Sequence, residues 1–219
     1  MRSHRSKWTT ISGGQVSEFT VRKTLGYEFA SRSVRGSLCK CPAIDWKQSR
    51  ADIGDGRSAL LAKIAPPAIA VDARGDLLIA DSAGTAWHEA RVRRVSRGVI
   101  ITVAGAGVSL GDHGPALSGQ LFGVATAALG PSGALYIADE GNGRVRMVKD
   151  GVISTVAGTG KGSFGGTGDD GPAVDASVYP HHVAVDSTGR IFVANGSTTG
   201  IVRMISGAQA IGSRPPWRA

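Results

Sequence analysis

The sequence predicts an all-β chain built from a repeated unit of short antiparallel strands. Of its 219 residues 32 are glycine, and only 5% are aromatic, a composition that suits many short strands joined by tight turns. An apolar strand recurs as LLIAD, LYIAD and IFVAN, beginning at Leu77, Leu135 and Ile191. Each copy of this strand is flanked by glycine-containing turns and by further apolar strands, in the same order every time. Such regular recurrence is the pattern of a repeat protein.

Each copy is predicted to contain four strands in a fixed order. The first strand ends at Asp72 in the first copy, at Gly130 in the second and at Asp186 in the third. The second strand is the LLIAD-like segment, the third is RVRRV, RVRMV or IVRMI, and the fourth is GVIITVAG or GVISTVAG. The pairs Asn142-Gly143 and Asp150-Gly151 are predicted hairpin turns, because both pairs tolerate the positive φ that tight hairpins need.

A glycine- and aspartate-containing linker precedes each set of strands. Its aspartates are Asp55, Asp112 and Asp169, so the same residue returns after 57 positions. Four antiparallel strands followed by a linker are typical of a propeller blade, and a closed propeller has four to eight blades. The predicted fold class is therefore all-β, an incomplete β-propeller of about three four-stranded antiparallel blades.

The repeat divides the chain into three regions. The propeller blades occupy residues 51–205, with individual blades at about 54–107, 108–160 and 161–205. Residues 1–50 form a basic N-terminal region that matches no copy, and the pattern leaves open whether it is ordered. Residues 206–219 are predicted to be a basic tail, because SGAQAIGSRPPWRA shows no alternating apolar run.

The positive charge lies almost entirely outside the repeats. The chain has a formal net charge of +8, of which residues 1–50 carry +7 and residues 51–205 carry −1. Phosphate binding needs clustered lysine and arginine, so we do not expect a nucleic-acid partner. The sequence contains no run of 18 apolar residues, so it gives no indication of a membrane-spanning helix. The N-terminus shows no apolar segment of the kind found in signal peptides, which leaves the compartment open.

The repeats resemble the NHL repeat in its bacterial form. The resemblance lies in GDDGPAVDASVYPHHVAVDSTGRIFVAN and in GALYIADEGNGRVRMVKDGVISTVAGTG, and it extends over about residues 53–205. It implies a six-bladed, TolB-like propeller that usually serves as a binding scaffold and is often extracytoplasmic. Some relatives bind RNA, some bind proteins, and a related propeller is a metal-dependent amidating lyase.

Three repeats are too few for the implied ring, and three interpretations follow. We favour a fragment of a larger propeller, because the repeat breaks off at both ends. Alternatively, two chains of three blades each join as a homo-dimer into one six-bladed ring. In the third interpretation the N-terminal region supplies a divergent strand that covers one end of the array.

The candidate ligand-binding residues are those expected to face the central channel: His181, His182, Asp186 and Asp72. Asp81, Asp139 and Asn195 end the second strands and are expected to cap turns by accepting a backbone N–H. The third-strand arginines Arg91, Arg144 and Arg203 are expected to pair with such carboxylates or to face solvent. No residue is assigned as catalytic, as a metal ligand or as a cofactor contact, and Cys39 and Cys41 are expected to be free thiols.

The predicted function is that of a non-enzymatic interaction scaffold for a protein, peptide or glycan. One alternative is a metal-dependent propeller lyase or hydrolase that uses channel residues such as His182 and Asp186. The other is an RNA-binding module, against which the charge distribution argues.

Overall fold

The computed structural model describes residues 54–82, 90–161, 166–196 and 200–206 in full, and outside these ranges it gives strands only. Four of those strands lie in the basic N-terminal region and form one antiparallel sheet in the order β1-β2-β3-β4. They are β1 (Arg5–Ser12), β2 (Gln15–Thr24), β3 (Tyr27–Val34) and β4 (Ser37–Leu38). The repeat pattern did not predict this sheet.

The three repeats form three antiparallel sheets, so the all-β, partial-propeller prediction is confirmed. Blade 1 has the strand order β5-β9-β8-β7-β6, and blade 2 has the order β10-β14-β13-β12-β11. The strands of blade 1 are β5 (Arg57–Ser58), β6 (Ala68–Val71), β7 (Leu77–Asp81), β8 (Arg91–Ser96) and β9 (Val99–Gly105). Those of blade 2 are β10 (Gly114–Pro115), β11 (Val124–Leu129), β12 (Leu135–Asp139), β13 (Arg144–Lys149) and β14 (Val152–Ala157).

Blade 3 extends further along the chain than the sequence predicted. Its order is β15-β16-β17-β18. The strands are β15 (Pro180–Val185), β16 (Ile191–Asn195), β17 (Val202–Ser206) and β18 (Gln209–Gly212). β18 pairs with β17 through Ile205 and Ile211, so part of the predicted tail is the fourth strand of this blade. Backbone pairing with β17 specifies this strand without an alternating apolar pattern.

The linkers bind the outer strand of the blade that follows them. Gly114 and Pro115 pair with Ile153 and Val152, which adds a fifth strand to blade 2. The linker then forms a short 3₁₀ turn before it reaches the inner strand. These two-residue strands are too short for any periodicity to reveal them, and the sequence therefore predicted four strands where blades 1 and 2 have five.

A buried arginine on the third strand ties each blade to its own linker. Arg146 donates to Asp112 at 3.0 Å and to the carbonyl of Leu110 at 2.7 Å, and Arg203 donates to Asp169 at 2.9 Å. The same position in blade 1 is occupied by Arg93, whose partner is Asp55. The three arginine side chains are at most 1% exposed.

The equivalent arginines are therefore Arg93, Arg146 and Arg203, and grouping Arg91 and Arg144 with Arg203 was wrong. Strand register shows the reason, because Ile137 pairs with Arg146 just as Val193 pairs with Arg203. Successive residues of a strand point to opposite faces, so a shift of two positions keeps the same face but changes the linker contact. Arg144 instead donates to the carbonyls of Asn142 and Thr159, both at 2.9 Å.

Two apolar cores lie between consecutive blades. The first joins blades 1 and 2 and contains buried Leu78, Val92, Leu121, Ile137 and Ile153. The second joins blades 2 and 3 and contains buried Val145, Val178, Val183, Val193 and Ile205. Each core combines one face of a blade with the opposite face of the next, so the blades stack in chain order.

The predicted turn at Asp150-Gly151 is confirmed, and the one at Asn142-Gly143 is corrected. Asp150 and Gly151 both have positive φ, 51° and 77°, as a two-residue type I′ turn requires. The other connection is longer, because Glu140–Asn142 forms a 3₁₀ turn that ends at left-handed Gly143. This longer turn places Glu140 at the edge of blade 2.

Among the described residues, no helix has the length and apolar character needed to cross a bilayer.

Candidate functional site

One edge of blades 2 and 3 brings together four side chains, Glu140, Tyr179, His181 and His182, here called the rim cluster. Glu140 follows the last residue of β12, Tyr179 precedes the first residue of β15, and the two histidines lie on β15. Both histidines are exposed, while Glu140 and Tyr179 are half-buried. The cluster therefore combines residues from two blades on an accessible edge.

The residues that end the second strands fix the position of this edge. Asp81 accepts a hydrogen bond from the backbone N–H of Ala65 at 2.9 Å, and Asp139 accepts one from that of Phe122 at 2.8 Å. Asn195 repeats the contact at 3.3 Å with the N–H of Tyr179. The predicted acceptance of a backbone N–H is confirmed in all three blades, but the donor lies 16 or 17 residues earlier in the chain and not in the following turn. This hydrogen bond joins the end of each second strand to the start of the inner strand.

Burial gives Asp139 an unusual titration. Its carboxylate has no exposed surface and lies 3.4 Å from Arg146. Burial raises the pKa of Asp139 to about 6, while hydrogen bonds from Phe122, Asn142 and Arg146 act in the opposite direction. Asp139 is therefore ionised at neutral pH, directly before Glu140 in the chain.

Tyr179 and Glu140 connect the two blades at the rim. The hydrogen bond with Glu140 raises the pKa of the Tyr179 phenol, because the phenol donates to the carboxylate and its ionised form would repel it. Gly196 lies behind the pair, and its N–H donates to the carbonyl of Tyr179 at 2.8 Å. A Cβ at Gly196 would lie 2.9 Å from Tyr179 and 3.0 Å from His181, so glycine is needed for this close approach.

A β-bulge explains how neighbouring histidines come to stack on each other. The pairing register of β15 with β16 shifts between Pro180 and His182, so His181 is the extra residue of a bulge. A bulge redirects a side chain that would otherwise point to the opposite face. The imidazole rings stack with centroids 4.8 Å apart at 26°, and their Nδ1 atoms lie 2.9 Å apart. One imidazole must donate and the other accept in such a pair.

The electrostatic surroundings of His182 favour its neutral form. Burial and the neighbouring His181 lower the pKa of His182, and the Glu140 carboxylate opposes this shift. A neutral imidazole offers one donor and one acceptor. The rim cluster thus places a glutamate beside a phenol and imidazoles that can form hydrogen bonds.

Asp72 and Asp186 lie at the opposite edge of the blades and close turns there. Asp186 accepts hydrogen bonds from the N–H groups of Thr188 and Arg190, both at 2.9 Å, and pairs with the Arg190 side chain at 2.6 Å. The bond from the Thr188 side chain is the main cause of the strongly lowered pKa of Asp186. Asp72 likewise accepts from the N–H of Asp76 at 2.9 Å.

The four residues proposed from the sequence therefore do not form one site. Three residues of extended strand lie between His182 and Asp186, and the four steps of about 3.3 Å place the two Cα atoms about 13 Å apart. The structure brings His181 and His182 together with Glu140 and Tyr179, which sequence reasoning did not name. Tyr179 could have been found from its 57-residue spacing to Phe122 and Ala65. Nothing in the sequence indicates that Glu140 from the neighbouring blade reaches it.

Within the described ranges, no three His, Cys, Asp or Glu side chains lie close enough together to hold a metal ion. Cys39 and Cys41 lie outside the residues whose side chains the structure describes.

No protein-family model matches this chain, and no curated protein matches it. Among solved structures it is similar to a Bacteroides thetaiotaomicron structural genomics protein of unknown function, with a TM-score of 0.56 and 13% identity over 90% of this chain. A streptogramin B lyase structure aligns over 97% of this chain with a TM-score of 0.51 and 11% identity. The chain spans 44% and 59% of those two proteins. At such identities the similarity shows the β-propeller fold alone.

Proposed function

We propose that this chain is a non-enzymatic β-propeller interaction scaffold of the NHL-repeat type, which binds a protein, peptide or glycan through the rim cluster. The observation that supports this most is the exposed, stacked pair of His181 and His182 beside the Glu140–Tyr179 hydrogen bond. These groups lie on an accessible edge and come from two rigid blades. Exposed polar and aromatic groups held on a rigid scaffold are typical of binding surfaces.

The chemistry of the cluster favours a polypeptide ligand with a basic side chain. Glu140 is the carboxylate of the cluster, and it lies next to two imidazoles and a phenol that can hydrogen-bond a peptide backbone. A lysine or arginine would gain a charge-assisted hydrogen bond from Glu140. An uncharged glycan would gain only neutral hydrogen bonds from the same surface.

The two alternative functions have less support from the geometry. A lyase or hydrolase that uses His182 and Asp186 together needs both at one reacting centre, yet the two lie at opposite ends of β15. The carboxylate of Asp186 is also engaged by Thr188 and Arg190. RNA binding needs clustered positive charge, whereas the rim cluster carries a carboxylate.

Binding to an array of defined hexapeptides tests the proposal. We expect the wild-type chain to retain peptides with a central lysine or arginine in preference to matched alanine peptides. The Glu140→Gln variant should bind them about tenfold more weakly, since hydrogen bonds to charged groups contribute about 1.5–3 kcal/mol. Asp150→Asn is the matched control, because Asp150 is exposed at a distant turn and its φ of 51° suits asparagine.

Equal binding by Glu140→Gln and wild type would show that the rim cluster is not the binding site. A parallel glycan array decides the ligand class. Glycan binding that depends on Glu140 would keep the site and replace the peptide by a glycan. Retention of neither probe by the wild-type chain would contradict the proposed function.

A further inference from the structure

Each blade has a backward face toward the preceding blade and a forward face toward the following one. The forward face of blade 1 contributes Leu78, Ala80 and Val92 to the first core, and the backward face of blade 2 contributes Leu135 and Ile137. All five are at most 6% exposed. Burial of apolar side chains on both partners is the driving force of this contact.

The same pairing of faces recurs between blades 2 and 3. The forward face of blade 2 contributes Ala138 and Val145, and the backward face of blade 3 contributes Val183, Ile191 and Val193. These residues occupy equivalent register positions, since Ala80 pairs with Val92 as Ala138 pairs with Val145. The forward and backward faces are therefore two complementary surfaces that the chain uses twice.

The forward face of blade 3 carries the same apolar pattern without the same burial. Ala184 pairs with Phe192, and Ala194 pairs with Val202, in the register that buries the forward faces of the other blades. Val202 is 40% exposed, Ala184 is exposed, and Phe192 and Ala194 are only half-buried. The Arg190 guanidinium lies over the Phe192 ring, 5.8 Å from its centroid.

The backward face of blade 1 is also less buried than its equivalents. Ile69, Leu77 and Val95 are half-buried and pack around a small core with Ile79 and Ile100. The same positions in blade 3 are buried against blade 2, and they are Val183, Ile191 and Ile205. The described blades thus present one incompletely covered face of each kind, a forward face at blade 3 and a backward face at blade 1.

We infer that the partner of these faces is a second copy of this chain: the forward face of blade 3 packs on the backward face of blade 1 of another copy. This head-to-tail contact repeats the two contacts within the chain, and it is independent of the rim cluster. Contacts of this kind form a ring if the rotation closes. Counting the repeat blades alone, without the N-terminal sheet, two copies contribute six, within the four to eight blades of known propellers, whereas three copies would contribute nine and exceed that range. We therefore expect a closed dimer.

The mass of the chain in solution, measured by sedimentation over a range of concentrations, tests this inference. The chain has a mass of 22.5 kDa, and we expect a discrete species of about twice that mass. Phe192→Glu should leave a monomer, because it replaces a large apolar side chain of the interface by a charged one that must lose its water on burial, even with Arg190 nearby. Val108→Glu is the matched control and should remain dimeric, because Val108 is 93% exposed in the linker between β9 and β10.

A mixing experiment tests the head-to-tail arrangement. Phe192→Glu alters only the forward face and Leu77→Glu only the backward face, so each variant alone should be monomeric. Their mixture should form a dimer, because one of its two interfaces then has both wild-type faces. Circular dichroism and thermal unfolding first establish that each variant is folded.

A wild-type monomer at every concentration would overturn the inference, and it would mean that another segment or partner covers these faces. An open series of higher oligomers would overturn the closed dimer. If Leu77→Glu is folded and stays dimeric while Phe192→Glu is monomeric, two forward faces meet each other and the head-to-tail contact is wrong.

Discussion

At the scale of single residues, the ion pair between third strand and linker is the most regular feature of this chain. Arg146 contacts Asp112 and Asp139 without any exposed surface of its own. Removal of one partner of such a buried pair leaves an uncompensated charge and costs far more than loss of an exposed pair. Blade 3 differs at one position: Asn195 occupies the place near Arg203 that Asp139 occupies near Arg146 in blade 2. Blade 3 therefore shows that a neutral side chain is tolerated at this position.

Because blade 3 has an asparagine at the equivalent position, we make a prediction for Asp139→Asn. The pKa of Asp139 is raised from 3.8 to about 6 in the folded chain. Between these values the folded chain binds a proton that the unfolded chain has released, so wild-type stability from this group falls as pH rises through the window. The asparagine variant has no such titration. The melting temperature of the variant relative to that of wild type should therefore increase between pH 4 and pH 6.

Thermal unfolding followed by circular dichroism at several pH values measures this difference. Other carboxylates titrate equally in both proteins, so the difference between the two isolates Asp139. A difference that stays constant between pH 4 and pH 6, or that decreases, would contradict the assignment.

At the scale of strands and linkers, glycines mark the points where consecutive blades approach most closely. Gly105 is the last residue of the outer strand β9 and Gly158 directly follows the outer strand β14, with φ of 91° and 100°. A Cβ at Gly158 would lie 2.3 Å from the carbonyl oxygen of Gly143 and 2.6 Å from Val178 of the next linker. The glycine of the recurring TVAG segment is thus explained by two causes: its φ is positive, and neighbouring atoms leave no space for a Cβ.

The alanine substitutions Gly151→Ala and Gly158→Ala separate the effect of positive φ from that of the close approach. Gly151 also has positive φ, 77°, but no atom lies within 4 Å of a Cβ there. Gly151→Ala should cost about 1–2 kcal/mol of unfolding free energy from backbone strain alone. Gly158→Ala should cost about 1–3 kcal/mol more, because the added methyl group overlaps its neighbours. Urea unfolding of both variants measures the difference, and equal losses would contradict the proposed close approach.

At the scale of the whole molecule, the sequence predicted the three blades well and their surroundings poorly. Strands such as Leu135–Asp139 were predictable because apolar alternation and the repeat agree there. β18 and the two-residue linker strands were not, because backbone pairing rather than side-chain pattern defines them. The rim cluster was half predicted: His181 and His182 lie in one strand, but the bulge that stacks them and the approach of Glu140 depend on contacts between blades.

The proposed function depends on the position of the binding surface, and hydrogen–deuterium exchange measures that position directly. The probe is the array hexapeptide that binds the wild-type chain most tightly, compared with its alanine-substituted form. We predict that it slows exchange in residues 139–142 and 179–183, where the rim cluster lies. Slower exchange at the opposite turns, residues 72–76 and 186–190, with none at the rim would contradict the account.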